Sequence, residues 1–368
     1  MRSLANGHER SQGGRLAERR TGWEHGWLLL FPRSVIMLTG RDHTAAPGKM
    51  PPPSLYIARL LPEPVMAAAR ERFHLTVLPK ASPPSRDALL EGLRQAQAAI
   101  CTLTEHLDQE ILSQAPRLRV IANYAVGYNN IVLEAARARG IVVTNTPDVL
   151  TETTADLTWA LLLATARRVA EGDRLVREGA WQGWEPTQLL GADVEGKTLG
   201  IIGMGRIGRA VARRASGFTM TVLYCSHGVS NPSALDSQWQ RLPQDEVLAR
   251  SDFISLHVPL TPDTHHVIGA AELRRMRPTA FLINTSRGPV VDEAALVDAL
   301  RDGRLAGAGL DVYEQEPHLH PGLLQLRQVV LLPHLGSATL RTRIQMGMVC
   351  LENIQAVLEG RHAPNRVA

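Results

Sequence analysis

The sequence predicts an α/β protein built from two parallel-sheet units, and three observations carry that prediction. Short apolar runs alternate with helical stretches from Ser54 onward. That is the rhythm of βαβ units, in which a helix returns the chain to the start of the next parallel strand. The stretch Lys197–Ala215, KTLGIIGMGRIGRAVARRA, places a buried strand, a glycine turn and a helix in immediate succession. At 368 residues, 44% of them hydrophobic, the chain exceeds one ordinary domain and holds enough apolar material for two cores.

Residues 1–49 are rich in Gly, Arg and Ser without sustained periodicity, and the regular pattern begins just after Met50. This leader is expected to be disordered or non-native and is set apart from the fold. Glu9, Glu18, Glu24 and Asp42 count against a transit peptide. Leu55–Leu60, Leu75–Leu78, Ala99–Leu103, Arg119–Asn123 and Ile141–Asn145 read as short buried strands. Pro64–Arg72, Arg86–Gln97 and Leu133–Arg139 separate them as helical or loop segments. Leu150–Glu178 reads as one long helix whose apolar face includes Ala155, Leu157, Leu161 and Leu163. Its apolarity predicts packing against both units or a second subunit. Beyond the glycine turn, strands are expected at Thr221–Cys225, Phe253–His257, Ala280–Asn284, Gly309–Val312 and Val329–Leu332, with a helix at Glu293–Leu300. Ser337–Glu359 closes the chain as a helix with Ile344, Met348, Leu351, Ile354 and Leu358 on one face. Residues 50–149, rejoined by 334–368, are expected to form one domain and residues 150–333 the other.

The turn Gly203-Met-Gly-Arg-Ile-Gly208 follows the strand Thr198–Ile202 at once, and the helix begins directly after it. That context makes G-x-G-x-x-G a dinucleotide fingerprint. Gly203 permits the tight turn, Gly205 lets the backbone approach a pyrophosphate, and Gly208 lets helix pack on strand. The helix N-terminus then offers unpaired N–H groups and partial positive charge to the phosphates.

Charge removes one class of function. The net charge is +4, but residues 1–49 hold eight Lys/Arg against four Asp/Glu, leaving 32 of each in residues 50–368. The basic surplus belongs to the leader, and no basic patch interleaved with aromatics argues for nucleic acid. Cys101, Cys225 and Cys350 form neither a metal spacing nor a disulfide framework, which points to a reducing, cytoplasmic setting. No apolar run approaches the about 20 residues of a membrane span.

Seven blocks then point to a family. They are Asn123–Asn130 (NYAVGYNN), Thr153–Leu157 (TTADL), the GMGRIG turn, Leu256–Thr261 (LHVPLT), Asn284–Gly288 (NTSRG), Gly309–Pro317 (GLDVYEQEP) and Pro333–Ser337 (PHLGS). Over roughly residues 52–360 the chain resembles the D-isomer-specific 2-hydroxyacid dehydrogenases. Within them it looks most like the glyoxylate/hydroxypyruvate reductases, partly through Thr154–Leu162 and Gly179–Trp184 (GAWQGW). The resemblance implies a flavodoxin-like substrate domain and an NAD(P)-binding Rossmann domain, with the active site in the cleft between them.

It further implies a triad of Arg287, Glu316 and His334. Reducing an α-keto acid needs a cation that holds the carboxylate and polarises the carbonyl, and a guanidinium is a planar fork of donors suited to both. The carbonyl oxygen needs a proton, so His334 is expected as acid for reduction and base for oxidation. Glu316 is expected to fix the imidazole tautomer and favour its charged form. By resemblance the N–H groups of Val126 and Gly127 bind the substrate carboxylate, although Gly127 read alone is equally a turn glycine. Asp311 resembles the residue that anchors the nicotinamide amide, and Pro259 and Thr261 line the cofactor cleft. Thr154, Ile207, Thr285 and Gly336 join Gly203, Gly205, Arg206 and Gly208 among the expected cofactor contacts. Ala125 and Asp148 depart from glycines usual in the family. Trp181 reads as a dimer contact, and Trp184 as a ring reaching the neighbour's substrate pocket.

The ribose site departs furthest. An NAD-preferring site carries an acid at the end of the second strand, yet the window Val222–His227 has none. Ser226 and His227, with Arg206, are expected to face a 2′-phosphate, which favours NADPH and leaves NADH open. The expectation is a cytoplasmic homodimer that reduces glyoxylate and hydroxypyruvate. Two alternatives stay open: another 2-hydroxyacid dehydrogenase of the D-lactate or phosphoglycerate type, and a dinucleotide-sensing protein without turnover.

Overall fold

The structure is a computed structural model that describes residues 51–77, 83–226 and 237–368. The expectations for the leader and for His227 lie outside those residues.

Two parallel sheets carry the chain. The first joins β1 (Ser54–Ile57), β2 (His74–Val77), β3 (Ala98–Cys101), β4 (Val120–Asn123) and β5 (Val142–Thr144) in the order β2-β1-β3-β4-β5. Every pairing is parallel, and this is the flavodoxin-like order. Helices α1 (Glu63–Arg72), α2 (Arg86–Arg94), α3 (Gln109–Ser113) and α4 (Leu133–Ala138) make the crossovers. β3 and β4 are buried throughout because helices cover both faces, which is why they read as unbroken apolar runs. β2 lies at the edge and alternates exposed with half-buried positions.

The second sheet joins β6 (Thr198–Ile202), β7 (Thr221–Cys225), β8 (Gln240–Arg241), β9 (Phe253–Leu256), β10 (Phe281–Asn284), β11 (Gly307–Leu310) and β12 (Val329–Leu331). Its order, β12-β11-β10-β9-β6-β7-β8, is the Rossmann order with a seventh strand at one edge. The order reverses at β6, so ligands belong at the carboxyl ends of β6, β7 and β9. The two exposed residues of β8 lack an apolar signal, and the sequence showed no strand there. β11 begins two residues earlier than expected: the apolar run has no internal boundary, and register is set by pairing Phe281 with Gly307.

One expectation is corrected. Leu150–Glu178 is not a single helix but α5 (Thr151–Ala166) and α6 (Val169–Arg177), separated where Arg168 takes φ +53°. Only α5 is a buried helix. Ala155, Trp159, Leu161, Leu162 and Ala166 join the core of the second sheet, whereas α6 buries nothing. At the other end of α5, Leu150 belongs to the core of the first sheet, so the helix does reach both layers.

After β6 come α7 (Arg206–Ala215), α8 (Gln244–Arg250), α9 (Ala270–Arg275), α10 (Glu293–Arg301) and α11 (Leu340–Leu358). α11 returns to the first sheet, where Met346, Cys350, Leu351 and Ile354 pack with Leu55, Ile57, Val120 and Ala122. The last residues follow it: the Val143 N–H donates to the Ala368 carbonyl at 2.9 Å, and the Val367 N–H to the Val143 carbonyl at 2.8 Å. That pairing covers the free edge of β5. The chain thus passes between the layers twice, before α5 and before α11. Thr154 Oγ1 donates to the Gly336 carbonyl at 3.0 Å and ties the two passages together. No described helix is long and apolar enough to cross a membrane.

Candidate active site

The glycine turn is built as its sequence requires. Gly203 takes φ +101°, and a Cβ there would stand 2.7 Å from the His257 backbone. At Gly208 a Cβ would overlap the Gly203 carbonyl oxygen, so helix and turn close only without one. Gly205 differs: a Cβ on it would meet nothing within 4 Å. It caps α7 with no side-chain hydrogen bond, and the N–H groups of Arg206, Ile207 and Gly208 have no acceptor among the described residues. Open space above uncapped amides at the N-terminus of a ten-residue helix fits a pyrophosphate.

Arg287 follows β10 on the loop that Asn284 shapes. Asn284 Nδ2 donates to the Arg287 carbonyl at 3.0 Å, and its Oδ1 accepts from the Ser286 N–H at 3.0 Å. The guanidinium reaches the first layer, where Nε donates to Asn129 Oδ1 at 3.1 Å. A Cβ on Gly127 would overlap Arg287 Nη2, so glycine is what admits the arginine. Beside it the Val126 and Gly127 N–H groups donate to no acceptor among the described residues. Their loop is fixed from the other side. Asn145 Nδ2 donates to the Val126 carbonyl at 2.8 Å, and Asn123 Nδ2 to the Gly127 carbonyl at 2.7 Å. Two unpaired amides and one guanidinium therefore converge at the boundary of the layers. Burial lowers the Arg287 guanidinium from its ordinary value and the Glu316 charge opposes this, yet an arginine starts so high that it stays protonated at neutral pH.

His334 follows β12 in a left-handed turn, φ +56°. The turn is held by Asp311: its carbonyl accepts from the His334 N–H at 3.0 Å, and its carboxylate from the Leu335 and Gly336 N–H groups at 2.6 and 2.8 Å. His334 Nδ1 lies 2.8 Å from Glu316 Oε2, and Glu316 Oε1 accepts from the Tyr313 N–H at 3.1 Å. With the carboxylate ionised, this hydrogen bond assigns the proton to Nδ1 and leaves Nε2 to exchange a proton with a ligand. For Glu316, burial opposes ionisation, but the His334 hydrogen bond and charge, the Tyr313 amide and Arg287 outweigh it. Its carboxyl is held below the usual range. Asp311 goes the other way: burial raises it, against the pull of the Leu335 and Gly336 amides and His334. His257 is a different histidine. Burial pushes it down to about 3, and Nε2 pairs with Ser255 Oγ at 2.8 Å, so it remains neutral.

The remaining expected residues divide. Thr154, Gly336 and Asp311 form one cluster through the Thr154–Gly336 and Asp311–Gly336 bonds. The hydroxyl of Thr285 is 2.8 Å from that of Thr158 on α5. The Pro259 carbonyl accepts from Thr264 Oγ1 at 2.6 Å, and Thr261 caps the same short turn at the carboxyl end of β9. Ile207 joins the partly buried apolar groups on the cores of both sheets. Arg206 Nε is 2.7 Å from Asp148 Oδ1, on the passage before α5. Ser226 follows β7 directly, and its carbonyl accepts from Arg241 Nη2 at 2.9 Å. Trp181 and Trp184 are 52% and 81% exposed, and no hydrogen bond links either to the triad. Sequence reading missed Asn129, Asp148 as partner of Arg206, and Arg241. Asn129 lay inside a recognised block, whereas the other two lack a local signal.

The chain is similar to known proteins in sequence and in fold. The D-isomer specific 2-hydroxyacid dehydrogenase NAD binding domain matches residues 159–336. A glyoxylate reductase of Korarchaeum cryptofilum is 49% identical over 318 residues, covering 86% of this chain and 96% of that protein. One from Thermococcus gammatolerans is 48% identical over 319 residues, with the same coverage. Among solved structures, the TT0316 protein of Thermus thermophilus has a TM-score of 0.79 at 47% identity, covering 86% of this chain and all of that one. An NADPH-dependent glyoxylate/hydroxypyruvate reductase of Sinorhizobium meliloti, in complex with NADP and malonate, has a TM-score of 0.75 at 34% identity and covers 86% and 97%.

Proposed function

The chain belongs to the D-isomer-specific 2-hydroxyacid dehydrogenases, and we propose that it reduces glyoxylate and hydroxypyruvate to glycolate and D-glycerate, with NADPH preferred and NADH accepted. The observation that carries this reading is the convergence, at one boundary, of the Arg287 guanidinium, the Val126 and Gly127 amides and the His334–Glu316 pair. Residues 150–333 form the cofactor domain and residues 50–149 with 334–368 the substrate domain, with catalysis in the cleft between them.

The residues divide the work. Arg287 forks between the carboxylate and carbonyl of a 2-oxo acid, held in place by Asn129 and by the bare Cα of Gly127. The Val126 and Gly127 amides take the other carboxylate oxygen, so the acid is gripped in one orientation. Gly203, Gly205 and the α7 amides hold the pyrophosphate. Thr154, Thr285 and Asp311 stand at the nicotinamide end. The nicotinamide, when bound, supplies the hydride. His334 Nε2 delivers the proton to the carbonyl oxygen and takes it back in the reverse direction, while Glu316 keeps the ring in one tautomer and stabilises its charge. The exposed Trp181 and Trp184 are the rings that a second copy covers in a homodimer, Trp184 closing the partner's pocket to bulky acids. The three free thiols suit a cytoplasmic enzyme.

A turnover panel of glyoxylate, hydroxypyruvate, pyruvate and phosphohydroxypyruvate with NADPH and NADH tests the reading. The highest kcat/KM is expected for the first two acids with NADPH. A lead for pyruvate or phosphohydroxypyruvate would move the chain to another branch of its family. Absence of turnover with all four would make it a dinucleotide-binding protein.

A further inference from the structure

We infer that Arg241, on the two-residue strand β8, is the residue that selects NADPH, by holding the 2′-phosphate of the cofactor at the carboxyl end of β7. The inference rests on the NADPH reading above and assigns its charge to a residue outside the family's sequence blocks.

A cavity of about 430 Å³ opens at the end of β7, lined by Cys225, Ser226, Arg241, Leu242, Pro243 and Gln244. Its position follows from topology. β7 is the neighbour of the fingerprint strand β6, and the Gly203 N–H donates to the Cys225 carbonyl at 2.9 Å. A dinucleotide with its pyrophosphate over α7 therefore carries its adenosine ribose to this end of the sheet. Neither Cys225 nor Ser226 is an acid, so nothing on the described strand end repels a phosphate or claims the two ribose hydroxyls.

Arg241 is the one charged residue among the six that line the cavity. Parallel pairing sets it beside Tyr224, and its Nη2 donates to the Ser226 carbonyl at 2.9 Å. That bond fixes the guanidinium at the rim and occupies one donor of five, leaving a fork for a phosphate. Arg206, the cation that the sequence offered for this task, has Asp148 2.7 Å from its Nε instead. A cation already paired with a carboxylate favours an added phosphate less than one whose partner among the described residues is a carbonyl oxygen.

The test compares the wild type with Arg241→Ala, Arg241→Lys and Arg206→Ala. It measures kcat/KM for NADPH and NADH with glyoxylate, and calorimetric binding of adenosine 2′,5′-bisphosphate against 5′-AMP. Arg241→Ala should lower kcat/KM for NADPH by about 10- to 100-fold, the range of one charge-assisted hydrogen-bonding contact, and leave NADH within about threefold. It should weaken the bisphosphate by a similar factor and spare AMP. Arg241→Lys should recover part of the loss. Arg206→Ala should change both cofactors alike. Equal loss with both cofactors in Arg241→Ala, or no loss with either, overturns the inference while a wild-type NADPH preference leaves the broader reading intact. A wild type that favours NADH and binds the bisphosphate no better than AMP overturns both.

Discussion

Two histidine–glutamate pairs grow from one loop of this chain, and their surroundings differ. Glu316 meets His334 through Nδ1, and Glu314, two residues earlier, meets His266 through Nε2. Both histidines take a positive φ, 56° and 50°. Their neighbours differ. Arg287 and Asp311 act electrostatically on the Glu316 pair, and unpaired amides stand beside Arg287. The Glu314 pair is knitted into backbone: the Glu314 N–H donates to Glu293 Oε1 at 2.6 Å, Glu314 Oε2 accepts from the Glu293 N–H at 3.3 Å, and the His266 N–H donates to the Pro289 carbonyl at 2.8 Å. An imidazole beside a carboxylate is thus a common device for fastening loops. It becomes an acid–base pair when a cation and free amides hold a substrate against its open nitrogen.

The sharpest way to break the comparison is at the histidines. His334→Gln should lower kcat by about 10²- to 10⁴-fold, the range of a lost general acid, while thermal unfolding stays near that of the wild type. Turnover within tenfold of normal would place the proton donor elsewhere.

Glu316→Gln should cost less in turnover, because the imidazole remains, and it carries a signature in pH. The native carboxyl lies below its ordinary value of 4.5, so the ionised form stabilises the fold. That stability is fully present above the unfolded value and disappears as pH falls through the depressed native value. The melting-temperature gap between wild type and Glu316→Gln should therefore narrow as pH falls below about pH 4.5 toward the depressed native value. A gap that keeps widening between about pH 4.5 and pH 3 would contradict the depressed carboxyl.

The smallest kinetic effect belongs to the other pair. His266→Ala should lower stability by about 0.5–1.5 kcal/mol, the cost of one hydrogen bond lost between half-buried partners, and change kcat by less than about tenfold. A hundredfold fall in kcat in a folded variant would erase the distinction between the two pairs.

Most of the architecture was legible because parallel strands covered on both faces are written as short apolar runs, as β3, β4, β9 and β10 are. The glycine turn and the triad were legible because each lies in a contiguous block. What escaped has no local period. The break between α5 and α6 falls at Arg167 and Arg168, with neither glycine nor proline to announce it. The residues of β8 point to solvent and carry no apolar signal. The Arg206–Asp148 contact joins residues far apart in sequence, and the Arg241–Ser226 contact forms only once β8 pairs with β7, so neither leaves a local signal.

The overlap that any side chain at residue 127 would make with Arg287 has a consequence for engineering. Gly127 belongs to the five-stranded layer and Arg287 to the seven-stranded one, so the empty volume on one is shaped by the other. The two layers are not interchangeable parts. A graft that brought a new first layer with alanine at 127 would push the Arg287 guanidinium out of its place, however well each half folded. A new second layer with a shorter residue at 287 would leave a hole of the same shape. Such chimeras succeed only when both positions are chosen together.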